Sequence, residues 1–250
     1  MSSTSPELPN TPKKVALIGS AASTKDLAPY NDTSWEIWGL AWRNDYPRCD
    51  VHFDIHPLTS DRKHILGSSI KEYVEVMRRR GTLHYLHGDA GLANATAYPL
   101  VQMVQWLKEK THGQFDGKYL SCSIAYMLVF AMYSGAREIA IYGVDLIDDT
   151  EYVYQRPNLE YLIGIATTLG FQITIPKGCA LMGPSWLYGY ESPPSTDGPI
   201  NQKILVDRLN QYKQQREKHL AALYTTDGAI QECQQLLDML KHVRRGVDTN

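Results

Sequence analysis

Three features of the sequence predict an α/β domain with a mostly parallel sheet flanked by helices, followed by a C-terminal helical hairpin. The first is Val15-Ala16-Leu17-Ile18, an unbroken apolar run leading into Gly19-Ser20-Ala21-Ala22-Ser23. A strand covered on both faces carries such a run, and a turn without bulky side chains lets backbone N–H groups approach an anion. The second is the apolar helical stretch Ile124 to Ser134, followed by the strand Ile139-Ala140-Ile141-Tyr142 and then Gly143-Val144-Asp145. The third is the alternation of helical and strand-like segments up to Ile175, which implies right-handed crossovers between parallel strands.

Met1 to Pro12 is polar and rich in Ser, Thr and Pro, and reads as a disordered lead-in without a hydrophobic signal core. After the first strand, Lys25 to Asp32 is a polar connection, and Trp35-Glu36-Ile37-Trp38-Gly39 is a short aromatic strand. Val51 to His56 alternates as a third strand ending at Pro57. Ile70, Tyr73, Val74 and Met77 give Ile70 to Arg80 helical spacing, with a stop at Gly81. Thr82 to Leu86 is a fourth strand, and Pro99 stands near the start of a helix running to Lys110. Ser123 is expected to cap the Ile124 helix, which ends at Gly135. Pro157 is expected to open a helix to Leu169 that stops at Gly170, before a last strand from Phe171 to Ile175.

Composition changes from Pro184 to Pro199, read as a linker or an ordered surface loop. Beyond Gln202, two helices broken near Thr225-Thr226-Asp227-Gly228 carry Leu205, Leu209 and Tyr212, then Ile230, Cys233, Leu237 and Leu240, at coiled-coil-like spacing. Such a hairpin packs on the domain or on a second copy. The expected divisions are therefore residues 1–12 as lead-in, 13–183 as the α/β domain, 184–200 as linker and 201–246 as hairpin.

A length of 250 residues, 43% of them hydrophobic, is enough for a sizeable core. A formal charge of −2 gives no bulk attraction to nucleic acid or anionic membrane. Lys241, His242, Arg244 and Arg245 form only a local basic helix end. No apolar stretch is long enough to span a bilayer. Cys49, Cys122, Cys179 and Cys233 are scattered without a CxxC pair, which favours reduced thiols in a cytoplasmic protein over zinc or disulfides.

In open α/β sheets, ligands bind beyond the carboxyl ends of the strands, where strand order reverses. That rule selects Gly19, Ser20, Ala21 and Ser23 after the first strand, Gly39 after the second, His56 after the third, and Asp145. Asp145 suits a ribose hydroxyl or a divalent cation bridging phosphates, or else caps a turn. His52, Asp54 and His56 alternate and share one face; individual hydrogen bonds or an edge strand account for them better than a metal does, so no metal site is assigned. Tyr152, Tyr154 and Arg156 sit at a predicted helix start and suit a phosphate or diphosphate, against the alternative of a surface loop packed near Tyr188 and Tyr190. Ser121 and Ser123 offer hydroxyls to a ligand or simply cap a helix. The chain lacks Gly-x-Gly-x-x-Gly, the Walker lysine, Gly-x-Ser-x-Gly and His-Glu-x-x-His.

Ile18 to Ser23, Leu120-Ser121-Cys122-Ser123 opening an apolar helix, and Glu138 to Asp145 together resemble the core of the glycosyltransferase family 42 sialyltransferases. Archaeal pterin diphosphokinase-like proteins share that core. Trp35 to Gly39 and Tyr154-Gln155-Arg156-Pro157 also resemble segments of bacteriophage proteins. The resemblance implies a Rossmann-like domain binding a nucleotide-activated donor, with Gly19 to Ser23, Ser121 and Ser123 around the nucleotide and Tyr152 or Tyr154 at its phosphate. It also implies that Gln155 stands where the family carries a general-base histidine; a glutamine takes no proton at neutral pH. Glu151, Glu160, His56 and Asp145 are the candidate replacements.

The expectation is thus a cytoplasmic transferase, in the host cytoplasm if viral, acting from a nucleotide sugar on a small metabolite or on nucleic acid. It has no membrane partner, and its C-terminal helices allow a homo-oligomer as well as packing on the domain. The alternatives are a Mg²⁺-dependent diphosphokinase-like phosphotransferase and a non-catalytic protein that sequesters a nucleotide.

Overall fold

The computed structural model describes residues 13–58, 69–147, 151–183, 187–191 and 202–247; the expected lead-in, most of the 184–200 segment, and Asp148 and Asp149 lie outside them. Chain contacts divide it into two units, Met1–Ser185 and Trp186–Asn250.

In the first unit the strands are β1 (Lys13–Ile18), β2 (Trp35–Leu40), β3 (Val51–Asp54), β4 (Leu83–Leu86), β5 (Ala95–Ala97), β6 (Ala136–Tyr142) and β7 (Gln172–Thr174). They form one sheet in the order β5-β4-β3-β2-β1-β6-β7, and every pair is parallel. This is a Rossmann-like α/β fold. The central place of β1 follows from its composition: Val15 to Ile18 are fully buried, so only a strand with neighbours and cover on all sides satisfies them. β5 has no counterpart in the sequence expectations, because a three-residue Ala-Thr-Ala edge strand is too short for its single β-branched residue to set a pattern.

The sheet's two faces are covered differently. Val15, Leu17, Trp38, Phe53, Ile139 and Ile141 pack on one face against α2 (Leu100–Lys110), α3 (Ser123–Tyr133) and α4 (Tyr152–Thr168). Of these, α3 is buried along most of its length and is apolar all round, as befits a helix enclosed between the sheet and two other helices. Gly135, at φ +87, ends it in the left-handed conformation a helix stop favours. On the other face, Ala16, Ile18 and Ile37 pack with Ala28 and Tyr30, while Tyr73 and Met77 of α1 (Ile70–Arg79) pack on Leu86 and Ala41. A reciprocal Ser69–Glu72 capping box starts α1.

Three sequence expectations are corrected. Cys122, not Ser123, is the N-cap of α3, and Ser123 is already helical. α4 begins at Tyr152, so Pro157 lies inside it rather than opening it. The ring forfeits one backbone bond near the helix start, and tertiary bonds made by the fully buried Asn158 hold the helix there. In the second unit, α5 (Gln202–Val247) is a single 46-residue helix, not a hairpin. The Thr225 and Thr226 hydroxyls donate to the carbonyls of Ala221 and Ala222 within the helix, at 3.0 and 2.9 Å. A lone Gly228 costs only about 1 kcal/mol relative to alanine, too little to break so long a helix.

β3 is an interior strand, and His52 and Asp54 are buried beneath it. The His52 ring stacks on His84 at 4.9 Å, and its Nδ1 pairs with the Thr82 hydroxyl at 2.9 Å. Burial, then the Arg80 charge and His84, push the His52 imidazole down to about 3; burial likewise lowers His84. The His52 ring stays neutral in the fold across mildly acid pH, His84 is shifted in the same direction, and both take up protons near pH 6.5 once unfolded. The unfolded chain therefore binds more protons in acid, and stability falls as pH drops from about 6.5 towards 4. One such group contributes at most about 1.4 kcal/mol per pH unit. Urea unfolding across this range is expected to show the decline, and His52→Gln to make it shallower.

Candidate functional site

Strand order reverses between β1 and β6, because the chain leaves β1 towards β2 and later returns on the opposite side. Loops leaving the carboxyl ends of such strands diverge and open a crevice. Here Gly19 N–H donates to the Tyr142 carbonyl and Ala21 N–H to the Gly143 carbonyl, both at 2.8 Å. Gly143 N–H in turn donates to the buried Thr24 hydroxyl at 2.8 Å. A Cβ on Gly19 would lie 2.3 Å from the Gly143 carbonyl oxygen, so the two backbones meet where no side chain fits. Gly143 itself, at φ +65, has its absent Cβ aimed at the Ala21 carbonyl.

The Ser23 hydroxyl donates to Asp145 Oδ1 at 2.8 Å, and Ala180 N–H donates to the same oxygen at 3.1 Å. Asp145 and the β1 loop thus share one rim. Ser20, Ala22 and Ser23 are exposed, and among the described residues their N–H groups meet no protein acceptor. Beside them, Lys25 Nζ and Arg43 both bond the Asp45 carboxylate. Burial alone would raise Asp45, but the Arg43 and Lys25 hydrogen bonds outweigh it and hold the group at about 2. Lys25 and Arg43 thus stand two cations to the one Asp45 carboxylate, with the Asp145 carboxylate on the same rim.

Gly39 is not open to this rim. Its missing Cβ would sit 2.6 Å from the Tyr46 ring, and the half-buried Tyr46 hydroxyl donates towards the carbonyls of Ile18 and Gly19 at 3.2 and 3.3 Å. Tyr46 therefore braces the start of the β1 loop. Gly39 is the space its ring occupies.

α3 precedes β6 and α4 follows it, so chain direction brings both helix N-termini to the carboxyl rim, dipoles positive towards it. Asn158 links them. Its Oδ1 accepts from the Ser121 N–H and hydroxyl, each at 3.0 Å, and its Nδ2 donates to the Tyr119 carbonyl at 2.7 Å. The Ser121 hydroxyl is therefore spent inside the protein, while Ser123 is half-buried in the first turn of α3. Gln155 is half-buried and lies one turn before Asn158 on α4; Tyr154 is exposed. Arg156 pairs with Glu160 at 2.9 Å, and its guanidinium fills the space a Cβ on Gly183 would need. Tyr152 is half-buried beside them.

His56 lies apart, beyond the end of β3, two strands from β1 and so roughly 10 Å along the rim. Its Nδ1 is 3.0 Å from Oδ1 of the buried Asp54, which also accepts from the Tyr73 hydroxyl at 2.9 Å. The ring is half exposed. Burial pushes the thiol of Cys122 up to about 11 and raises that of Cys179, so neither supplies a thiolate nucleophile near neutrality.

Sequence reasoning missed Thr24, Lys25, Arg43, Asp45, Tyr46 and Asn158. Thr24, Lys25, Tyr46 and Asn158 act through partners distant in sequence, and Arg43 enters only through its neighbour Asp45, which Lys25 also holds, so no local motif announces them.

No protein-family model and no curated protein matches the chain. Among solved structures it is similar to the sialyltransferase CstII from Campylobacter jejuni in complex with the substrate analogue CMP-3FNeuAc, at 16% identity over 67% of this chain and 80% of that one, with a TM-score of 0.42. It is likewise similar to CST-II with a trisaccharide acceptor and CMP, at 15% identity over 74% of this chain and 96% of that one, with a TM-score of 0.43.

Two substitutions test the rim's construction. Gly19→Ala is expected to lose at least about 2 kcal/mol in urea unfolding, because the backbone facing it has no flexible side chain to yield. Asp145→Ala is expected to lose about 1–3 kcal/mol by stranding its donors, and Asp145→Asn less, since an amide oxygen still accepts.

Proposed function

We propose that the chain is a transferase that binds a nucleotide-activated donor, a nucleotide sugar, across the β1–β6 crevice. One observation carries this reading: the loops after β1 and β6 close on each other backbone to backbone, while Ser20, Ala22 and Ser23 are exposed and their N–H groups meet no acceptor among the described residues. Those amides bind the donor phosphate, with Lys25 and Arg43 supplying positive charge and Asp145 Oδ2 taking a ribose hydroxyl. The N-terminal turns of α3 and α4, with Ser123, Tyr152, Tyr154 and Arg156, bound the nucleotide's other side.

The transferred group extends along the rim towards β3, where His56 receives the proton. The buried Asp54 carboxylate fixes the ring through Nδ1 and leaves Nε2 to act as base. As the acceptor oxygen bonds to the donor's anomeric carbon, its proton passes to Nε2. The bond from that carbon to the phosphate oxygen breaks, and the electron pair departs with the phosphate. In this reading Gln155 is a binding group, and His56 takes the role for which a glutamine is unfit.

Isothermal titration against CMP, CDP, UDP, GDP, ADP and their sugar forms, with and without EDTA, tests the binding step. One nucleotide is expected to bind at micromolar concentration, at least tenfold more weakly in Asp145→Asn; no binding at millimolar concentration refutes the reading. Loss of binding on adding EDTA supports metal-dependent phosphoryl transfer instead. Nucleotide release from the bound sugar form is expected to fall at least about 100-fold in His56→Gln, with binding unchanged. Tight binding with no turnover points to a sequestering protein.

A further inference from the structure

We infer that α5 is a coiled-coil strand through which two or more copies of this chain associate. Joining the two expected helices into one brings their apolar residues into a single register. Leu209, Leu223, Ile230 and Leu237 recur at multiples of seven, as do Leu205, Tyr212 and Cys233 in the companion row. All seven are exposed in the single chain. Between Leu205 and Leu237 polar residues interrupt the seam only at Arg216, His219 and Thr226, and most residues on the opposite face are polar or small. Interruptions of this kind cost stability and specify register.

The period identifies the partner's shape. A straight α-helix drifts about 20° per heptad from a strict seven-residue repeat. Between Leu205 and Leu237 the seam therefore turns by roughly 90°, so a flat globular surface cannot follow it. A second long helix, wound around the first, can. Among the described residues the next longest helix, α4, has only 17 residues and its apolar residues are buried in the sheet's core. Nothing else described in the chain has the length to cover a helix of about 69 Å. The same repeat on another copy does, and it is matched to itself by construction. Isolated helices draw most of their stability from such packing rather than from propensity.

Light scattering on the full-length chain at about 50 µM is expected to give at least twice the 28.3 kDa of one chain. The pair Leu223→Glu and Ile230→Glu, with charge in the seam, is expected to give the single-chain mass. The milder pair Leu223→Ala and Ile230→Ala is expected to keep the helix by circular dichroism and weaken association at least tenfold. Gln214→Glu with Gln235→Glu, on the opposite face, is expected to leave the mass unchanged. A single-chain mass for the unmodified protein overturns the inference. So does an assembly that survives the seam substitutions, or one lost in the opposite-face variant.

Discussion

Two stretches of bare backbone, Gly19 to Ala21 after β1 and Gly143 after β6, touch each other, and the rim of the sheet is built on that contact. A gap of 2.3 Å between the place of a Gly19 Cβ and the Gly143 oxygen admits no side chain at all. The reversal of strand order ordinarily leaves a crevice at this point; here its floor is closed by three hydrogen bonds involving backbone groups of these two loops. Some amides of the β1 loop are consumed in making the floor. Those of Ser20, Ala22 and Ser23, on exposed residues, make no such bond among the described residues.

Around that contact the polar groups divide into those that build and those that remain available. Thr24, Tyr46, Asn158 and Ser121 are occupied in bracing loops and helix starts. Asp145 does both, with Oδ1 held by Ser23 and Ala180 while it stands at the crevice. Lys25, Arg43 and Asp45 form a compact cluster whose excess cation sits next to the loop. Two strands away, Asp54 anchors His56 from within the core, a separate polar device at the same edge.

The two units obey different rules. In the first, apolar residues are enclosed by a sheet and helices on both its faces. In the second, a single helix carries a seven-residue apolar repeat on its own surface. That contrast is visible in the chain's composition: α3 is apolar in every direction, whereas α5 repeats apolar residues at multiples of seven, with Val206, Tyr224, Leu236 and Met239 exposed outside that seam.

The α/β class, the parallel sheet, most strand positions, and Gly19 and Asp145 as rim residues were all legible in the sequence. Each rests on a local pattern, an apolar run or a glycine at a strand end, that needs no distant partner to be read. The start of α4, the continuity of α5, the N-cap at Cys122, and the bracing by Tyr46 and Asn158 were settled only by the tertiary structure. Pro157 and Gly228 are helix breakers by local propensity worth one to a few kcal/mol, and bonds between remote segments or within a long helix exceed that. Gly39 illustrates the limit: a glycine at a strand end looks the same in sequence whether it yields to a ligand or to a tyrosine ring, and only the packed fold decides which.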